Sequence, residues 1–241
     1  MKIRVIVPVI TKEFEAEALR EYSAPARPDT EISVVSIDRG PASIESSYDE
    51  ALAVPDVVAK IVQAEKDGVS AVIVDCMADP GVEAAREVVS IPVVGPAEVS
   101  YHVAAMLGHR FSVITILDTL APVIDHNVAK AGLTARLASI RAVNIPVLKL
   151  DDRKALLNAL VEQSVKAVRE DGAHVIMFGC TGMVGLSQAV EHRMRREGIS
   201  GVPVIDPPVL AVKIAEALAE VGLTHSKRTY PAPPAKEIVG Y

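Results

Sequence analysis

Cys76 and Cys180 are the only cysteines in the chain, and each lies in one of two stretches that look like copies of each other. GVSAVIVDCMADPG runs from Gly68 to Gly81, and GAHVIMFGCTGMVG runs from Gly172 to Gly185. Each starts at an Asp-Gly break, passes through a β-rich apolar segment and reaches its cysteine eight residues after the glycine. Two thiols facing one small pocket could remove a proton from one face of a carbon and return it to the other. A thiolate is a suitable base and the opposing thiol a suitable acid. A model cysteine titrates near about 8.5, and a helix N-terminus brings it into a range useful at neutral pH. The backbone N–H groups of Met77, Ala78, Thr181 and Gly182 are candidates to hold a substrate carbonyl as it becomes enolate-like. This chemistry requires no metal and no organic cofactor. A single cysteine is usually inert core. Two that are unique, and that sit at matching places in a repeat, favour function instead.

The elements that must position these thiols read as alternating strands and helices. Ile3 to Val9, Glu31 to Ile37 and Val69 to Val74 are β-branched runs of the kind buried on both faces of a parallel sheet, and Ile91 to Val94 is a shorter one. Helices are predicted over Lys12 to Tyr22 with Thr11 as a cap, and over Tyr48 to Lys66 with Pro55 breaking or restarting it. Another follows Asp79, which has the position of an N-cap. A second series follows. Its strands are Phe111 to Ile116, one within Ala135 to Val143, Val175 to Phe178 and Val202 to Ile205. Its helices are Glu98 to Leu107, one reaching Lys130, Asp151 to Arg169, one from Thr181 or Gly182 to Glu197, and Val209 to Val221. The last stretch is Pro-rich and polar and reads as a tail packed on the surface or against a partner subunit.

The two series repeat. IRVIVPVIT answers FSVITILDT, DVVAKIVQAEKDG answers SVKAVREDG, the cysteine stretches follow, and SIPVVGPAEV answers GVPVIDPPVL. Strand–helix alternation implies parallel sheets covered by helices. The expected fold is therefore α/β, with two pseudo-symmetric domains that each hold a short parallel sheet flanked by helices. Residues 1–97 plus 207–241 form the first and 98–206 the second, with the active site in the interdomain cleft. Both cysteines fall just beyond the carboxyl ends of strands, where ligands collect in open parallel sheets.

Composition narrows the function classes. Aromatics are 3% of the 241 residues and the net charge is −6, so a base-stacking or basic nucleic-acid surface is not expected. No apolar stretch approaches the ~20 residues of a membrane span. The N-terminal apolar run ends too early, at Lys12 and Glu13, for a signal peptide. A cytoplasmic protein with reduced thiols is the expectation. The histidines and cysteines show no zinc spacing, so no metal is expected. Among other residues, Ile44 lies in the loop after the second strand and could offer backbone groups to a substrate. Thr115 ends the strand that mirrors the first, where its hydroxyl could contact a ligand or cap the helix at Asp118.

The chain resembles the Asp/Glu/hydantoin racemase superfamily, and most closely its hydantoin racemase branch. The residues that carry this are GPASIESSYDEALAVPDV from Gly40, CMADPGVEAARE from Cys76, IPVVGPAE from Ile91, LGHRFSVIT from Leu107, GCTGM from Gly179 and VPVIDPP from Val202. The resemblance implies an isomerase with two α/β domains, cofactor-independent proton transfer with Cys76 and Cys180 as acid and base, and a homo-oligomer. Its small-molecule substrates would be 5-substituted hydantoins or relatives such as allantoin. The chain departs from the family at Val7-Pro8-Val9, which stands where an Asn-Pro-Asn motif is usual. Val9 thus holds the place of a substrate-contacting Asn. Met77 replaces a small residue after the first cysteine.

Two other readings stay open on the residues. One is another enzyme of the superfamily, an amino-acid racemase or a maleate isomerase-like protein. The other is a non-catalytic small-ligand-binding protein on the same fold.

Overall fold

A computed structural model describes residues 1–237 and Val239. The chain divides into two compact units: Met1–Ile44, Tyr48–Gly95 and the residues from Ala211 onward form unit 1, while Glu45–Ser47 and Pro96–Leu210 form unit 2.

Unit 1 is built on four parallel strands, β1 (Lys2–Val7), β2 (Glu31–Ser36), β3 (Ala71–Val74) and β4 (Val93–Val94), in the order β2-β1-β3-β4. Between them run α1 (Glu13–Ser23), α2 (Ser47–Lys66) and α3 (Val82–Val88). Unit 2 repeats the plan with β5 (Phe111–Thr115), β6 (Leu137–Ala142), β7 (Val175–Phe178) and β8 (Val204–Ile205), in the order β6-β5-β7-β8 and again all parallel. Its helices are α4 (Pro96–Leu107), α5 (Ala121–Lys130), α6 (Arg153–Arg169) and α7 (Ser187–Arg196). The chain passes back to unit 1 within α8 (Pro207–Val221).

The repeat extends to the register of the strands. Ile3 pairs with Ala71 in unit 1, and Phe111 pairs with Val175 in unit 2. Val72 faces Val93, and Ile176 faces Val204. Because both pairings are conserved between the units, the residue that follows β3 by two places corresponds to the residue that follows β7 by two places. These residues are Cys76 and Cys180. The central strands earn their unbroken apolar sequences: every residue of β3, β5 and β7 is buried, whereas the edge strands β2 and β6 are mostly half-buried.

Three expectations are corrected. Pro55 does not break α2, which continues from Ser47 to Lys66. Ala53, Val57, Ile61 and Ala64 form one buried stripe across the proline, so packing holds both halves on one axis. Ala51, whose carbonyl loses its i+4 donor at Pro55, is exposed. Thr11 does not cap α1; its hydroxyl donates to the Ala42 carbonyl (2.7 Å) and, with the Ile10 N–H bond to the Pro41 carbonyl (3.0 Å), ties the loop after β1 to the loop after β2. Asp79 is not an N-cap. It sits in the left-handed region with φ 52°, and α3 starts at Val82 behind Gly81.

The segment after α8 folds onto unit 1. Lys227 Nζ donates to the carbonyls of Arg86 (2.7 Å), Glu87 (3.1 Å) and Val89 (2.7 Å), so a cation caps the end of α3. The Val93 N–H donates to His225 Nε2 (2.9 Å), and Arg86 lies 5.5 Å from the Tyr230 ring centroid. Lys227→Ala is expected to cost about 1 kcal/mol, a typical value for charge-assisted bonds at an exposed helix end. Faster amide exchange at Val89 and Val93, with β3 unchanged, is the local signature to measure.

Candidate active site

In unit 1, β3 delivers Cys76 by a short break in the ladder. The Asp75 N–H still donates to the Ile6 carbonyl (2.8 Å), but the Cys76 N–H turns back to the Val74 carbonyl (2.8 Å). That turn ends the strand and leaves Cys76 half-buried. The Ala78 N–H then lies 3.5 Å from Cys76 Sγ, and the Asp79 N–H donates to the Cys76 carbonyl (3.1 Å). The turn is locked by a close approach at β4. A Cβ built on Gly95 would fall 2.3 Å from Asp79 Oδ2, so only glycine leaves room for that carboxylate.

Asp75 is held from another element. Tyr22 of α1 is fully buried, and its hydroxyl donates to Asp75 Oδ1 (2.7 Å). Burial and the Asp75 carboxylate, with a weaker contribution from the Glu21 charge, push the Tyr22 hydroxyl well above the usual tyrosine range, so it remains a donor. Val9, Ile44 and Met77 are buried in the same unit, at 6%, 8% and 5% exposure, and Ala78 is half-buried. None of the first three offers a polar side chain.

In unit 2, β7 delivers Cys180 in the same way. The Gly179 N–H donates to the Ile114 carbonyl (2.7 Å), and Cys180 follows half-buried in extended conformation. Thr181–Met183 form one 3-10 turn, closed by the Met183 N–H on the Cys180 carbonyl (3.2 Å). Thr181 and Gly182 are half-buried, and a Cβ built on Gly182 would lie 3.8 Å from Cys180 Sγ. Arg153, at the start of α6, donates to the Gly182 carbonyl (2.9 Å) and to the Val184 carbonyl. Asp206 Oδ2 accepts the Gly185 N–H (2.7 Å) from the other side. Thr115 is fully buried, and its Oγ1 has no hydrogen-bond partner among the described residues, so it does not cap the helix that follows.

The two units exchange parts at one position. In the repeat Gly95 corresponds to Asp206. In unit 1 the carboxylate comes from the cysteine loop, as Asp79, and the strand end supplies glycine; in unit 2 the strand end supplies the carboxylate and the loop supplies Gly185. Either way a carboxylate packs between the strand end and the turn that carries the thiol.

Neither cysteine sits at a helix start. α3 begins six residues after Cys76 and α7 seven residues after Cys180, with only the 3-10 turn between. The expected helix start at each thiol is therefore absent; Asp75 precedes Cys76 in the chain, and Arg153 bonds the loop that follows Cys180. Tyr22, Asp75, Arg153 and the pinning role of Asp206 were missed from sequence. Only Asp75 carried a signal, as an acid directly before a cysteine whose counterpart, Gly179, is neutral.

Burial pushes the Asp206 carboxyl above the usual carboxylate range, against the Gly185 N–H bond and the Arg153 charge. A carboxyl with a raised folded pKa contributes its stability below the unfolded value, near about 3.9, and loses it as pH rises through the folded value. Asp206→Asn keeps an acceptor for Gly185 and does not ionise. Its unfolding free energy is expected to gain on the wild type as pH rises from about 4. Denaturant melts across a pH series measure this, and a constant difference between the two proteins would contradict it.

Among the described residues no helix is long and apolar enough to cross a membrane, and no group of three or more His, Cys, Asp or Glu side chains could hold a metal ion. The chain is similar over its whole length to the hydantoin racemase of Pseudomonas sp. (strain NS671), at 41% identity across 95% of that protein. Its fold superimposes on allantoin racemase from Klebsiella pneumoniae with a TM-score of 0.92 at 34% identity, covering 100% of this chain and 96% of that one. The corresponding values for allantoin racemase from Pseudomonas fluorescens are 0.91 and 37%, with both chains covered completely. The profile described as Asp/Glu/Hydantoin racemase matches residues 3–215, a span that takes in both sheets and both cysteine turns, and the chain belongs to that family.

Proposed function

We propose that the protein is a cofactor-independent racemase of 5-substituted hydantoins, allantoin included, in which Cys76 and Cys180 act on opposite faces of the ring C5. The observation that carries this is the placement of the only two cysteines at the same register position beyond β3 and β7, each half-buried on a turn. The full-length similarity to hydantoin and allantoin racemases supports the substrate class.

The C5 proton of a hydantoin is flanked by the C4 carbonyl, so its removal gives an enolate. One thiolate takes that proton as a base. The enolate oxygen is met by backbone N–H groups of the Met77–Ala78 and Thr181–Gly182 turns, donors aimed where charge develops. The other thiol protonates C5 on the opposite face, which inverts it. With Val9, Ile44 and Met77 apolar, the ring is gripped through backbone groups, and the 5-substituent meets aliphatic side chains. Thr115 has a buried hydroxyl with no hydrogen-bond partner among the described residues, at the end of the strand that mirrors β1.

Solvent-deuterium exchange tests the reading. In D₂O the protein is expected to wash deuterium into C5 of 5-alkyl hydantoins and of allantoin while their circular dichroism decays. Binding without exchange would support a ligand-binding protein instead. Exchange confined to acidic amino acids would move it to the amino-acid racemases of the family.

A further inference from the structure

The loop that joins β6 to α6, residues 143–152, comes back over the Cys180 turn. The Val143 N–H donates to the Thr115 carbonyl (2.9 Å) and the Ile145 N–H to the Ile116 carbonyl (3.1 Å), so the loop starts along the carboxyl end of β5. Asn144, between these two bonds, takes the left-handed conformation with φ 56°. Its side chain accepts the Asp118 N–H (3.3 Å) and donates to the Asp118 carboxylate (3.0 Å). Val147–Lys149 then form one 3-10 turn, held at its first N–H by the Glu45 carboxylate (2.7 Å). Leu150 follows that turn with 6% exposure.

The Leu150 side chain ends at Gly182. A Cβ built on Gly182 would lie 3.0 Å from Leu150 Cδ1 and 3.8 Å from Cys180 Sγ. One methyl-sized space is thus reached both by a leucine methyl and by the sulfur. Gly182 is not among the described residues with positive φ, so its backbone conformation does not require glycine. In the repeat its counterpart two residues after Cys76 is Ala78, which carries the methyl that Gly182 lacks. In unit 2 the loop after β6 brings a leucine to that place instead. The arrangement is held at the backbone as well, because Arg153, three residues after Leu150, donates to the Gly182 carbonyl at 2.9 Å.

We propose that Leu150 is a wall of the subsite that takes the hydantoin 5-substituent beside Cys180, and that Leu150 and Gly182 together select short alkyl substituents over bulky ones. This rests on the racemase reading above and adds to it a specificity-determining residue. The sulfur of Cys180 must approach C5 to exchange its proton, and the first atom of the 5-substituent is bonded to C5. A side chain that shares a methyl-sized space with that sulfur therefore meets the first carbons of the substituent. A leucine methyl offers apolar contact and no hydrogen bond, which suits an alkyl group. One methylene more or less in such a pocket changes discrimination by about 10- to 200-fold.

Two measurements read this wall, one with turnover and one without. The first is the ratio of kcat/KM for 5-benzylhydantoin to that for 5-methylhydantoin, in which losses common to both substrates cancel. Leu150→Ala is expected to raise the ratio by at least about 10-fold. Leu150→Val removes one carbon and keeps more of the packing, so it takes the place of Leu150→Ala if that variant does not fold, with a smaller rise expected. Adding Gly182→Ala to Leu150→Ala returns a methyl to the same space and is expected to bring the ratio back towards the wild-type value. The second measurement is alkylation of Cys180 in Cys76→Ser by iodoacetamide and by the bulkier iodoacetanilide. Shortening Leu150 is expected to speed the anilide relative to the amide. An unchanged benzyl-to-methyl ratio in the folded Leu150 variant means that Leu150 only packs, and overturns the proposal. A ratio that stays fully raised after Gly182→Ala is added overturns the shared space. A wild type that exchanges neither hydantoin strikes the racemase reading instead. The alkylation rates then still decide the wall: a shift towards the anilide supports it, and unchanged relative rates overturn it.

Discussion

Cys76→Ser and Cys180→Ser are each expected to lower hydantoin racemisation by about 10³-fold or more, the scale of a lost general acid or base. A serine hydroxyl is close in size to a thiol but far weaker as an acid, so the loss is chemical rather than steric. Both side chains are half-buried and end a strand, so the variants should fold, and their far-ultraviolet circular dichroism should match the wild type. Each variant retains one thiol. Any residual deuterium incorporation is therefore expected on one enantiomer only, with opposite preference in the two variants. Full turnover in either variant would sink the two-base assignment. Residual exchange with the same preference in both would mean that a single base serves both faces.

Gly179→Ala is the second large effect. The added methyl would meet Val113 Cγ1 at 2.9 Å and the Thr115 backbone at 3.1 Å, and neither can yield cheaply inside β5, whose residues are all buried. The strain is expected to cost about 1–3 kcal/mol of stability. It would also push the end of β7 away from β5 and carry Cys180 with it. A displacement of order 1 Å at a reacting group can cost about 10²-fold in rate, so kcat/KM is expected to fall by roughly that amount. Thermal melts and steady-state kinetics on the same preparation separate the two effects. A variant with wild-type kinetics would show that the position of Cys180 does not depend on the fit between β5 and β7.

Periodicity and the repeat were enough to place most of the molecule. The unbroken apolar runs at Val69–Val74 and Val175–Phe178 could only be strands covered on both faces, and the repeat brought both cysteines to equivalent strand ends. The two parallel sheets follow from the same local signals, because strand and helix patterns are written within ten or twenty consecutive residues.

What tertiary structure alone decided are bonds between residues far apart in the chain. Tyr22 finds Asp75 across 53 residues, and Lys227 finds the end of α3 across about 140. Arg153 and Asp206 grip the Cys180 turn from opposite sides. Glu45 groups with unit 2, and its carboxylate accepts the Val147 N–H at 2.7 Å. Asp79 looked like a helix cap because Pro80 follows it, yet room beside Gly95 draws its carboxylate elsewhere. No local pattern encodes such contacts. They exist only once the strands have set the register.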